Sequence, residues 1–411
     1  MYDVIVVGAR CAGSALGRLL ARQGHRVLIV DRATFPSDIF RNHFVRRRGA
    51  LRLQRWGLLD QVEASNCPPI RKYTVELGDF PLTGYPPGAD GLDAEYAPRR
   101  YVLDQILLEA AVEAGAEVRA GVVVEDLLRD GDRVAGIRAR QRRGQPFEER
   151  ARLVVGADGQ YSLVARTVGA AKYQAHPPLT CGFYSYFQGT GIDGLEVYLS
   201  FEPGRQRAII SFPTNDDTAL VAVQWPVSVL PRLRAEAVSL YWQTLDEVPA
   251  YGARIRAARR TDRWYAATDL ANFLRVPAGP GWALVGDAGH HKDPIYAQGI
   301  SDAFEHAELL AEAIHAGLSG EATLDAALAR YARQRDESAR ANYEGTLAGA
   351  AFQPPPPMVH QLRAALRGHQ ADIDGFYGAD VGTVPAEQFF APENVQRILA
   401  RSAEAVPAAD G

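Results

Sequence analysis

The first stretch, MYDVIVVGARCAGSALGRLLARQGHRVLIVDR, limits what this chain can fold into more than any other. Residues 2–7 are a valine- and isoleucine-rich run of strand type that ends at Gly8, whose missing side chain suits a sharp turn. From Gly13 the pattern becomes helical, with Leu16, Leu19 and Leu20 on one face, until Gly24 stops it before a second strand over 27–30. Asp31 closes that strand. A strand, glycine turn, helix and strand in this order aim the helix's free N–H groups at a pyrophosphate, and the acid about 20 residues on can accept hydrogen bonds from a ribose. Where the G-x-G-x-x-G pattern has its middle glycine, this chain has Arg10, whose guanidinium can contact a phosphate instead. The expected dinucleotide contacts are therefore Gly8, Arg10, Cys11, Ala12 and Gly13 in the turn, with Asp31 and Arg32 at the end of the second strand.

At 411 residues the chain can bury a large core and hold more than one domain. A net charge of −4 with interspersed signs gives no electrostatic footprint for nucleic acid, and the run Arg46, Arg47, Arg48 is too short to change that. The three cysteines, Cys11, Cys67 and Cys181, are odd in number and widely spaced, which argues against a disulfide framework and for a reducing compartment. No Cys, His and acid spacing suits a metal, so none is expected. The start lacks a basic leader with a cleavage site, and no run approaches the ~20 apolar residues of a membrane helix, so a cytoplasmic location is expected.

Along the chain, residues 34–48 read as irregular and basic, and 49–60 as a short helix. The runs 73–77 and 80–83 pair as strands across Gly78 and Asp79, followed by a Pro/Gly-rich loop over 85–91. A helix is expected over 102–114, a strand over 117–124, a hairpin over 126–129 and 133–140, and a strand through 152–155. That strand ends in a second glycine turn, Gly156-Ala157-Asp158-Gly159, opening a helix near Ser162. From 179 to 225, four runs with aromatic residues separated by turns suggest an antiparallel sheet, followed by a helix over 233–244 and a strand-like 264–267. The strand 282–285 leads into Gly286-Asp287-Ala288-Gly289-His290-His291, and long helices follow over 299–315 and 323–347. Pro354 to Pro357 form a rigid linker, 358–402 contain two short amphipathic segments, and 403–411 read as disordered.

Three glycine-bounded motifs thus lie in order: the N-terminal turn with Asp31, the GADG of 156–159, and the GDAGHH of 286–291 followed by Pro294 and Gly299. Together they resemble the FAD-dependent monooxygenases of the para-hydroxybenzoate hydroxylase class over about residues 1–345. The resemblance implies an α/β fold in which a Rossmann-like FAD-binding domain (1–67, 99–174 and 276–350) is interleaved with an antiparallel-sheet substrate domain (68–98 and 175–275). A helical C-terminal region and tail occupy 351–411. It places Asp158 near the pyrophosphate and ribityl chain, Asp287 on the ribityl hydroxyls, Arg100 on the phosphates or ribityl, and the Val124 backbone against adenine. Gly286 and Pro294 belong to the same cofactor loop. On physical grounds, a helix opening at Gly299 offers the N–H groups of Ile300 and Ser301 to a reduced flavin, which carries negative charge, and Gly299 lets backbone approach a flat ring.

The resemblance further implies a hydroxylase in which NADPH or NADH, or a partner flavin reductase, supplies electrons. The flavin, with O2 and through a C4a-hydroperoxide, then oxygenates a hydrophobic small molecule, with aromatic and polyketide-like compounds as candidates. The candidate bases and pocket groups are His43, His291 and Tyr296; His290 is expected to prop its own turn, and Lys292 and Asp293 make the loop unusually polar. Tyr184, Tyr186, Tyr198, Phe201, Trp225 and Tyr265 lie on expected strands and are candidates for an aromatic pocket or a core. The alternatives on the same scaffold are a halogenase, against which the absence of a W-x-W-x-I-P motif counts, a prenyl-chain reductase, or a non-redox FAD protein that binds or cyclises a ligand.

Overall fold

The computed structural model describes residues 1–38, 43–142 and 144–404. Residues 39–42 of the irregular basic segment and 405–411 of the tail lie outside that set; the last helix, Pro392–Glu404, extends into the stretch expected as disordered. By their contacts the described residues form two compact units: Met1–Ser65, Pro98–Leu179 and Asp269–Leu347 in one; Asn66–Ala97, Thr180–Thr268 and the chain from Ala348 in the other.

The first unit is built on a parallel sheet with the strand Tyr2–Val7 at its centre, between Val27–Asp31 and Pro146–Gly156. Glu117–Ala120 extends it on one side and Trp282–Leu284 on the other, both parallel. The central strands Tyr2–Val7 and Val27–Asp31 and the last residues of Pro146–Gly156 are apolar and buried, and Ile5, Leu28, Val30, Val154 and Leu284 share one core. The helices Cys11–Arg22 and Gly299–Ser319 pack against each other on this sheet.

The single strand expected over 117–124 is two. Gly121 adopts φ +72° and donates its N–H to Ala33 O at 2.9 Å, turning the chain out of the parallel sheet. Val122–Asp130 then pairs antiparallel with Arg133–Gln141, a longer hairpin than its alternation suggested.

The second unit carries a twisted sheet in which Thr180–Gln188, Thr218–Pro226, Arg207–Thr214 and Leu195–Ser200 run antiparallel in that spatial order. One pairing departs from the expected pattern: Leu195–Ser200 lies parallel to Tyr73–Leu77, which forms a hairpin with Pro81–Gly84. The helices Leu230–Asp246 and Pro249–Ala257 bury one sheet face, with Phe183, Phe187, Val221 and Trp225 meeting Leu240, Tyr241 and Ile255. Where two amphipathic segments were expected, four C-terminal helices form among the described residues, and they share a core with the hairpin: Tyr73 and Leu82 pack with Leu362, Leu366, Ile373 and Tyr377. A buried Arg363, bonded to Asp79 and to the carbonyls of Val75 and Phe80, pins this packing. Among the described residues no helix is long and apolar enough to cross a membrane.

Candidate functional site

The first glycine turn is fixed by close approach. Gly8 has φ +112°, and a Cβ there would lie 2.4 Å from Ala157 O; a Cβ on Gly13 would lie 1.8 Å from Gly8 O. Only glycine fits either position. The helix Cys11–Arg22 begins after Arg10 with no side-chain cap, so its leading N–H groups point from the turn with no side chain satisfying them.

Asp31 sits at the expected strand end and ties the turn down: its two carboxylate oxygens accept from Ala9 N–H at 2.8 Å and Ala33 N–H at 2.7 Å. Arg32 is exposed beside it. Arg10 does not project freely. Its guanidinium donates to Asp104 at 2.6 Å and to Ser37 Oγ at 2.8 Å. Arg100, at the start of the helix Arg100–Glu113, donates to the same carboxylate at 2.8 and 3.0 Å. Asp104 is fully buried and binds both candidate arginines, and the Cys11 thiol lies 3.4 Å from it. Burial first, then the carboxylate's charge, pushes Cys11 up to about 12, so it serves as a small packing group rather than a thiolate. Asp104 was missed in the sequence; its signal was an acid four residues after Arg100 on the same helix.

The second and third turns meet the first. The GADG turn abuts Gly8 through Ala157, and a Cβ on Gly286 would lie 2.7 Å from the methyl of Ala12. Asp287 is close enough for its charge to act on Arg100. Three motifs separated by more than a hundred residues thus converge on one helix N-terminus. Ser162 caps the helix Leu163–Thr167, its Oγ accepting from Ala165 N–H at 2.9 Å; one Asp158 oxygen accepts from Leu163 N–H at 2.7 Å, while its buried Oδ1 has no hydrogen-bond partner among the described residues. Val124 lies on the hairpin strand opposite Ala139.

Beyond Asp287 the chain alternates. His291 turns away into a small sheet, paired opposite Phe273, stacked on that ring at 5.6 Å and bonded through Nδ1 to Ala271 O. His290 and Lys292 instead border a cleft with Gly286, Asp287, Gly299, Asp302, Ala303 and His306. Of the three candidate bases, none lines it: His291 is a sheet residue, His43 is fully buried, and Tyr296 is half exposed in the turn Pro294–Tyr296. Gly286, Asp287 and Gly299, expected as cofactor residues, do line it, as does Lys292, read in the sequence only as making the loop polar; Asp302 and His306 were not singled out there. Burial holds both His290 and His306 below the usual imidazole range, the latter to about 3.

The helix Gly299–Ser319 opens on this cleft, again without a side-chain cap. Ser301 is buried, its Oγ 3.4 Å from Arg46 O, where the helix Arg47–Arg55 crosses at Gly49. A Cβ on Gly299 would meet nothing within 4 Å, so nothing in the protein itself demands a glycine there. Among the described residues no group of three or more His, Cys, Asp or Glu is placed to hold a metal.

These residues fit FAD. Two uncapped helix starts, glycines crowded by backbone and an orphaned buried Asp158 oxygen suit an elongated anion with ribose and ribityl hydroxyls. Fold and site together define a FAD-binding flavoprotein. The family profile described as "FAD binding domain" matches residues 1–346, and the chain belongs to that family as a FAD-dependent oxidoreductase. It is 30% identical over 396 residues to the kynurenine 3-monooxygenase of Salinispora arenicola, covering 87% of this chain and 81% of that one. It is 26% identical over 325 residues to the digeranylgeranylglycerophospholipid reductase of Methanosarcina mazei, covering 77% and 76%. Among solved structures, a myxobacterial chondrochloren halogenase shares the fold at a TM-score of 0.78 and 20% identity, over 99% of this chain and 98% of that one.

Proposed function

We propose that this protein is a FAD-dependent monooxygenase that takes electrons from NADH, NADPH or a partner flavin reductase and hydroxylates a hydrophobic small molecule. The observation that carries the reading is the uncapped start of the helix Gly299–Ser319 beside a glycine with open space around it, at the end of the GDAGHH loop. Bound FAD supplies the electrons that activate O2. The chain's part is to hold the cofactor and keep water from it. In this reading Gly8, Cys11, Ala12 and Gly13 offer backbone to the pyrophosphate, Arg10 and Arg100 supply positive charge steadied by Asp104, and Asp31 and Arg32 serve the ribose. Asp158, Gly286, Asp287 and Pro294 serve the ribityl region, Val124 the adenine, and Gly299, Ile300 and Ser301 the ring.

The second unit's sheet supports a substrate class. On the face opposite its helices, Tyr184, Tyr186 and Tyr265 cluster with centroids 5.2 to 6.3 Å apart, next to Leu220 and Phe212 in cross-strand register. That face suits an aromatic or extended apolar compound with a few hydroxyl contacts. The kynurenine 3-monooxygenase relative supports oxygenation.

The reductase relative supports a second reading, reduction of a prenyl-type double bond on the same scaffold. One experiment separates them: holoenzyme, NADH or NADPH, and a panel of aromatic and prenylated compounds under ¹⁸O2. Monooxygenation gives product carrying one ¹⁸O; reduction gives product two hydrogens heavier with no label, with or without oxygen.

A further inference from the structure

Only 4% of the Lys292 side chain is exposed, a degree of burial lysines almost never reach unless paired. Its Nζ lies 2.7 Å from Asp302 Oδ2, yet neither atom has a partner in hydrogen-bonding geometry among the described residues. Asp302 is in the first turn of the helix Gly299–Ser319, and its other oxygen accepts from Arg48 at 2.8 Å. Both Lys292 and Asp302 border the same cleft as Gly286, Asp287 and Gly299. The ion pair with Asp302 engages at most one of the ammonium's three donors, and a buried donor left without an acceptor is costly.

We propose that Lys292, positioned by Asp302, presents its ammonium to the cleft that receives the flavin ring and stabilises the negative charge the ring gains on reduction. This rests on the reading that FAD occupies the cleft. Accepting two electrons and one proton leaves the ring with one net negative charge, whether the electrons come from a nicotinamide hydride or from a chemical reductant. A fixed cation in a water-poor cleft favours that form over the neutral oxidised one, adding to the helix start beside it. His290 and His306, the imidazoles that border the cleft, are held neutral by burial and contribute no competing charge. Asp302 acts through the lysine and is a positioning residue.

The test is the reduction equilibrium of the bound flavin, measured against a reference dye in the holoprotein. In Lys292→Met it shifts about tenfold or more toward the oxidised form, about 30 mV for a two-electron couple. Lys292→Arg stays near the native value, and Asp302→Asn, which removes the counter-charge, shifts it the other way. Should Lys292→Met fold poorly, Lys292→Gln against Lys292→Arg gives the same comparison, a potential following charge rather than shape. If Lys292→Met titrates as the native protein does while Gly299→Val alters the flavin spectrum, the role of Lys292 is overturned and the cleft reading stands. If Gly299→Val also leaves spectrum and FAD affinity unchanged, the cleft reading itself is overturned.

Discussion

Gly286 and Ala12 meet where the glycine cannot grow: a Cβ on it would lie 2.7 Å from the alanine methyl, and its φ is +62°. Gly286→Ala is therefore expected to cost about 1–3 kcal/mol from overpacking, and a further ~1–2 kcal/mol from the left-handed backbone. Urea denaturation measures the loss, and flavin content after purification measures whether the third turn still serves the cofactor. Unchanged values of both would contradict the convergence of the turns.

Asp104 holds Arg10 and Arg100 at once, the second of these buried with it. Asp104→Asn leaves a buried guanidinium without its counter-charge, and a loss of about 3–5 kcal/mol is expected, toward the lower end because Arg10 is partly exposed. Equilibrium unfolding checks the magnitude. A variant as stable as the native chain would show that the two arginines do not depend on this carboxylate.

The parallel sheet and its glycine turns were legible because local pattern decides them: apolar strands end in glycines that only backbone crowding explains. Asp104 was not, since it borders the apolar stripe of Leu103, Ile106 and Leu107 and only the folded helix turns it toward Arg10. The parallel pairing of Leu195–Ser200 with Tyr73–Leu77 joins segments too far apart in sequence for alternation to specify. The cleft was half visible. The GDAGHH motif marked the loop, but which of its polar residues face inward depends on His291 entering a sheet with Phe273, a partner remote in pattern if not in number.

Stability should fall as the medium is acidified. Burial, only partly opposed by Asp302, holds His306 at about 3 and His290 well below 6.5, so both are neutral when folded, whereas unfolded they take up protons below about 6.5. The unfolded state then binds more protons, and the contribution, whole above pH 6.5, is lost as pH drops toward 3, by about 1.4 kcal/mol per pH unit for each imidazole. Denaturation midpoints between pH 7 and 4.5 report the slope, and His306→Gln is expected to flatten it. An equally steep slope in that variant would assign the effect elsewhere.

Gly299 and Ala297 separate ligand from backbone requirements. Ala297 adopts φ +53°, so Ala297→Gly is expected to stabilise the fold by up to about 1–2 kcal/mol. Gly299→Val, whose Cβ enters open space, is expected to leave the apoprotein's thermal midpoint within a degree or two while weakening FAD binding and altering the flavin spectrum. Unaltered binding would mean that the ring lies elsewhere.

The central claim is that three distant turns, brought together around the helix Cys11–Arg22, hold one FAD. Titrating apoprotein with FAD, in the native chain and in Asp287→Ala, tests it most directly. The account predicts one FAD per native chain, with most of that binding lost in the variant. A native chain that takes up no FAD in excess, or an Asp287→Ala variant with full occupancy, would contradict it.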